Sequence, residues 1–129
     1  MPKLSKTLAE GRNEGPGTAW SANLEGYVCD IVETTADADL TPLLVGLPND
    51  QCHSPHWGFV KKGTMWWNYG DHEEVTEAGE AFYIPPGHTS GATADSEFVV
   101  FSPAEEMALT QANMARRAQE LYGAAQLKG

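Results

Sequence analysis

Positive charge is scarce in this sequence: eight Lys and Arg stand against 18 Asp and Glu, a formal net charge of -10. A polyanionic partner needs a basic footprint, so no nucleic-acid partner and no docking on an anionic membrane surface is expected. The acidity reads as solubility. Long apolar runs are also missing. No stretch approaches the roughly 20 residues of a membrane helix. Met1 to Gly15 is polar and Gly-rich, without the apolar core of a secretory signal. Cysteine occurs only as Cys29 and Cys52. Without a secretion signal these are expected to be free thiols, and the chain is expected to be cytoplasmic. Nucleophile-elbow, phosphate-loop and dinucleotide fingerprints are lacking too, which leaves covalent hydrolase and nucleotide-dependent chemistry without support.

What is present fits one domain: 129 residues, long enough to bury a core. Residues 1–18 carry Gly11, Gly15, Pro16 and Gly17 with no sustained period, and read as a flexible arm. Residues 19–102 read as the barrel. YVCDIVET (Tyr27 to Thr34) and LLVGL (Leu43 to Leu47) are expected strands, with turn chemistry in PNDQ. HWGFVKK, TMWWNY, EEVTEA, EAFYIPP and EFVVFS follow as short strands with turns between them, the loop GHTSGATADS preceding the last. Short strands about ten residues apart without intervening helices indicate an antiparallel sandwich or barrel. Residues 103–123 read as a helix. Ser102, Pro103 and Glu105 have the spacing of a capping box, and Gly123 is placed to stop the helix. Met107, Met114, Ala118 and Leu121 form its apolar stripe, for packing on the barrel or for a dimer contact.

The chemistry concentrates in residues 52–90. Gly79 is followed, after five residues, by Pro85-Pro86-Gly87, and His56 stands seven positions before Gly63. Fifteen residues separate Gly63 from Gly79. These two motifs and their separation resemble those of the cupin family, over about residues 46 to 102. The resemblance implies an all-β cupin jelly-roll barrel, here with a C-terminal α-helix. It also implies a divalent transition metal inside, held by three histidines and a glutamate. His56 takes the glutamate's place, and His53 lies in Cys52-His53-Ser54-Pro55-His56 where the family has His-x-His. Ser90 stands where the second motif has its histidine, while His88 follows Gly87 directly. Residues 88 and 90 share parity, so His88 can face the same pocket on an extended segment.

His56, His88 and His53 are therefore the expected ligands of a Zn, Fe, Ni or Mn ion. On a regular strand His53 would face away from His56, and a bulge at Pro55 could restore convergence. Cys52 and Ser54 share His56's parity and stand as alternatives. The plainer alternative is that His56 and His88 only hydrogen-bond each other or a carboxylate. His72, at a hairpin turn, is expected in solvent. Trp57, Trp67, Tyr69, Cys52 and Ser90 are the candidate lining of a small-molecule pocket, with Trp66 and Trp67 on opposite faces of their strand. A homodimer is expected, to cover the sheet edges. The resemblance implies a metal-dependent enzyme of dioxygenase, isomerase or lyase type acting on a small organic substrate. A non-catalytic small-molecule sensor or binding protein on the same barrel is the alternative.

Overall fold

The computed structural model describes residues 2–127. Ten strands form two antiparallel sheets, and each strand is named here in chain order. In the larger sheet lie β1 (Arg12–Asn13), β2 (Gly17–Leu24), β3 (Tyr27–Thr34), β5 (His56–Lys62), β8 (Ala81–Ile84) and β10 (Glu97–Pro103), in the order β1-β2-β3-β10-β5-β8. The smaller sheet is formed by β4 (Ala38–Asp39), β6 (Thr64–Asn68), β7 (Glu73–Glu77) and β9 (Thr89–Ala92), in the order β4-β9-β6-β7. This is the cupin jelly roll, closed at one end by the C-terminal helix α2 (Ala104–Leu127).

Alternation along the strands makes the core. In β5, His56 and Val60 are buried while Trp57, Phe59 and Lys61 are exposed. Val60, Met65, Trp67, Ile84, Ala92, Phe98 and Val100 meet between the sheets as one apolar cluster. Gly63 permits the turn between β5 and β6. Its φ is +80°, and a Cβ there would clash with Ser96 Oγ.

Several boundaries differ from the sequence reading. Thr41–Leu44 is a short helix, α1, rather than the start of a strand, and Pro42 sits in its first turn. Leu44 and Leu47 are buried against Cys52, with Met107 and Met114 of α2 packed on them. The apolar stripe of α2 therefore covers one end of the barrel. The residues read as a flexible arm are tied down: Arg12–Asn13 pairs with β2, and Lys6 is hydrogen-bonded to Glu33 and Glu97. The capping box does not form as read, because Ser102 lies inside β10 with its hydroxyl turned to His56. Gly123 does interrupt α2, with φ 70° and ψ -175°.

Candidate metal and ligand site

Two stretches of chain, 52–56 and 85–89, deliver the central residues. Cys52 precedes β5, His56 begins it, and His88 follows the Pro85-Pro86-Gly87 turn into β9. A backbone bridge locks two of them together: Cys52 N–H donates to His88 O at 2.8 Å, and Gly87 N–H donates to Cys52 O at 2.8 Å. His56 Nε2 lies 3.0 Å from His88 Nε2 and 3.6 Å from Cys52 Sγ. The three ligand atoms lie within 4.8 Å of one another, and all three residues are buried.

The outer nitrogens are also engaged. His88 Nδ1 donates to Pro85 O at 2.9 Å, which leaves Nε2 as the lone-pair nitrogen. His56 Nδ1 is 2.7 Å from Ser102 Oγ. Cys52 Sγ is 3.5 Å from the hydroxyl of Thr110, itself buried on α2. Burial, with the neighbouring His88 second, lowers the pKa of His56 to about 3. Burial lowers that of His88 as well, and raises that of the Cys52 thiol. At neutral pH both imidazoles are thus uncharged, the form that ligates metal.

The donor set fits a transition-metal ion. For tetrahedral coordination with metal–sulfur near 2.3 Å and metal–nitrogen near 2.05 Å, sulfur and nitrogen stand about 3.6 Å apart and two nitrogens about 3.3 Å. Cys52–His56 and His56–His88 are 3.6 Å and 3.0 Å apart, and Cys52–His88 lies within 4.8 Å. Each histidine's other nitrogen has an oxygen partner, as metal-bound imidazoles have.

His53 is not brought to this group, which corrects its place in the expected ligand set. It sits three residues from His56 in a non-regular segment, is exposed, and its Nε2 lies 2.7 Å from Pro48 O. No bulge at Pro55 redirects it. Ser54 is buried, but its hydroxyl donates to Pro55 O. Among the three candidates for the third ligand, Cys52 is the one that converges. Trp57 is a second correction. Next to inward-facing His56, it must face outward, where it is 41% exposed between Tyr27 and Tyr83.

A cleft of ≈ 1180 Å³ opens over the histidines. Cys52 and Ser90 line it, together with Met65, Phe98, Val100 and, from α2, Met107, Thr110 and Met114. Trp67 is buried behind the histidines, its ring centroid 5.9 Å from His56 and 5.5 Å from His88, and its Nε1 donates to Thr76 Oγ1. Tyr69 stacks on exposed His72 at 4.8 Å and meets the edge of His88 at 6.2 Å.

Sequence reasoning missed Ser102, Thr110 and Asp30. Thr110 stands three residues after Met107 and four before Met114, on the buried face of α2. That spacing was the available signal. Asp30 lies mid-strand in YVCDIVET and also lines the cleft.

No protein-family model matches the sequence, and no curated protein matches it. Solved structures do. Oxalate decarboxylase from Bacillus subtilis at pH 4.6 aligns with TM-score 0.57 and 15% identity over 78% of this chain and 28% of that one. A structure of the same Bacillus subtilis enzyme, concerned with its Mn(II) centres, aligns with TM-score 0.57 and 16% identity over the same shares, 78% and 28%. The chain thus spans 28% of those proteins' length. The polyketide cyclase RemF from Streptomyces resistomycificus aligns with TM-score 0.56 and 17% identity, over 81% of this chain and 80% of that one. At such identities the likeness carries the fold alone: this chain has the cupin fold.

Proposed function

We propose that the chain holds one divalent transition metal on Cys52, His56 and His88 and uses it to act on a small organic molecule in the cleft. One observation carries this reading: three buried ligand atoms, from the stretch 52–56 and from His88, converge within 4.8 Å on a wall of a ≈ 1180 Å³ cavity. Three protein ligands leave a position open for substrate or water, as catalytic sites do. When bound, the metal would supply Lewis-acid polarisation or activate oxygen or water. The chain's own residues orient the site. Pro85 O and Ser102 Oγ fix the two rings, Trp67 closes the rear, and the apolar cleft wall limits water. A thiolate with two imidazoles is softer than a carboxylate-containing set, and favours Zn, Fe or Ni over Mn. Cobalt(II) loading tests the ligands directly. The wild-type chain should give a thiolate-to-cobalt charge-transfer band that Cys52→Ser abolishes, and no band in the wild type overturns the assignment.

A second reading has its own observation. His56 and His88 are 3.0 Å apart and can share a proton in a chain running from Ser102 to Pro85, so the group is satisfied without metal. The protein would then be a small-molecule binder or sensor. Ligand binding that survives chelation, with no turnover of any substrate, supports this reading. Chelator-sensitive turnover rejects it.

We also propose a homodimer through the outer face of the larger sheet. Trp57, Phe59, Tyr83, Phe101 and Tyr27 all lie exposed there, from four adjacent strands, β3-β10-β5-β8. An apolar aromatic patch of this kind marks an association surface.

A further inference from the structure

The cleft has a second polar point, away from the histidines. Asp30 lies on β3, paired in register with Ser21 on one side and Val100 on the other. It lines the same cleft as Cys52, His56 and His88, with Val32, Phe98 and Val100 and with the charged Arg12 and Glu14 also in the lining. Ser21 Oγ–H donates to one carboxylate oxygen, and among the described residues it is the only side-chain donor to Asp30. An ionised carboxylate has about four lone-pair sites, so Asp30 can accept further hydrogen bonds beside that of Ser21. Burial, with the nearby Glu14 charge last, raises the pKa of Asp30, while the Ser21 hydrogen bond and the Arg12 charge oppose the rise. Partly burying a carboxyl with one side-chain donor costs stability, and such groups concentrate where ligands bind.

The sheet sets the span between the two polar points. Asp30 and His56 lie two strands apart, with β10 between them. Asp30 is in register with Val100, and Ser102, the neighbour of His56, is the next inward position. At sheet spacing this places their backbones on the order of 12 Å apart. That span leaves room for a fused two-ring skeleton between the side chains. Phe98, Val100 and Met65 line the cleft and are suited to a flat apolar body.

We infer that Asp30, held by Ser21, is the distal subsite of the cleft and accepts a hydrogen bond from a hydroxyl group on a flat, uncharged bicyclic ligand. This rests on the reading of the cleft as a small-molecule site, but not on the metal. An anionic terminus would meet the carboxylate and the chain's net charge of -10. Arg12 lines the same cleft and acts on Asp30 but is ion-paired with Glu14, which lines it too, so the two charges offset each other and a neutral donor fits best.

Calorimetric titration of the full chain with 2-naphthol, 2-methoxynaphthalene and 2-naphthoate, with zinc loaded and after chelation, tests this. 2-Naphthol should bind about tenfold tighter than its methyl ether, which cannot donate, and 2-naphthoate should bind weakest. The preference should persist after chelation and in His88→Ala, so loss of metal binding would overturn the metal reading and leave this one standing. Asp30→Leu should bring the naphthol-to-ether ratio close to one. The isosteric Asp30→Asn, which keeps the side-chain shape, should lower the ratio partway. Equal binding of naphthol and its ether by the wild type overturns the inference, as does an unchanged ratio in Asp30→Asn. Failure of both to bind overturns the cleft reading together with the inference.

Discussion

His56 Nε2 and His88 Nε2 face each other at 3.0 Å across the mouth of β5, each ring held from behind by an oxygen. At this distance one ring can donate an N–H to the other, or both can ligate one cation. The nearby Cys52 sulfur, 3.6 Å from His56, makes the group a three-point donor set.

Ser102 is the first handle on this arrangement. Ser102→Ala leaves a buried ring nitrogen of His56 without its partner, at a cost of about 1–3 kcal/mol. Metal affinity should fall by about 10–100-fold through loss of ring orientation. Denaturant unfolding and a zinc competition titration measure the two effects. Wild-type values for both would show that the hydroxyl contributes nothing.

Acidification of the chelated chain should destabilise it. The pKa of His56 is depressed in the fold to about 3, below its ordinary 6.5. Its contribution is therefore present above pH 6.5 and is lost as pH falls toward about 3, because the unfolded chain takes the proton first. The slope is about 1.4 kcal/mol per pH unit inside that window. His88 acts in the same direction, while the raised pKa of Asp30 opposes it. Thermal unfolding from pH 6.5 down to 5 should show a falling midpoint, and His56→Gln should flatten the curve. A wild-type midpoint that stays level contradicts the burial of these rings.

The outer aromatic face predicts association. Wild-type chain should sediment as a dimer at micromolar concentration, and Trp57→Lys, which places charge in the centre of the patch, should sediment as a monomer. A wild-type monomer would assign the exposed Trp57–Tyr83 contact no role in assembly.

Much of this architecture is written in local sequence. The strand at Tyr27–Thr34 and that at His56–Lys62 were legible from β-branched and aromatic residues bounded by turns. Strand β2 escaped notice because GTAWSANL is rich in small residues and carries only Trp20 as a strong signal. Leu43 to Leu47 misled because a four-residue helix is too short to display a helical period, and buried leucines look alike in either state. The site was half legible. His56 and His88 stood out by motif, but the choice of Cys52 over His53 depends on the backbone bridge between Cys52 and His88, which pairs residues 36 positions apart. Ser102 was hidden by a plausible capping box. Such non-local pairings leave no periodic trace.

The most direct test of the central claim is elemental analysis of the purified chain without a histidine tag. About one transition-metal ion per chain is expected in the wild type. His88→Ala and Cys52→Ser should lose it, while His53→Ala should keep it. A wild-type chain without stoichiometric metal, or retention of full metal by both His88→Ala and Cys52→Ser, would contradict a metal centre built on Cys52, His56 and His88.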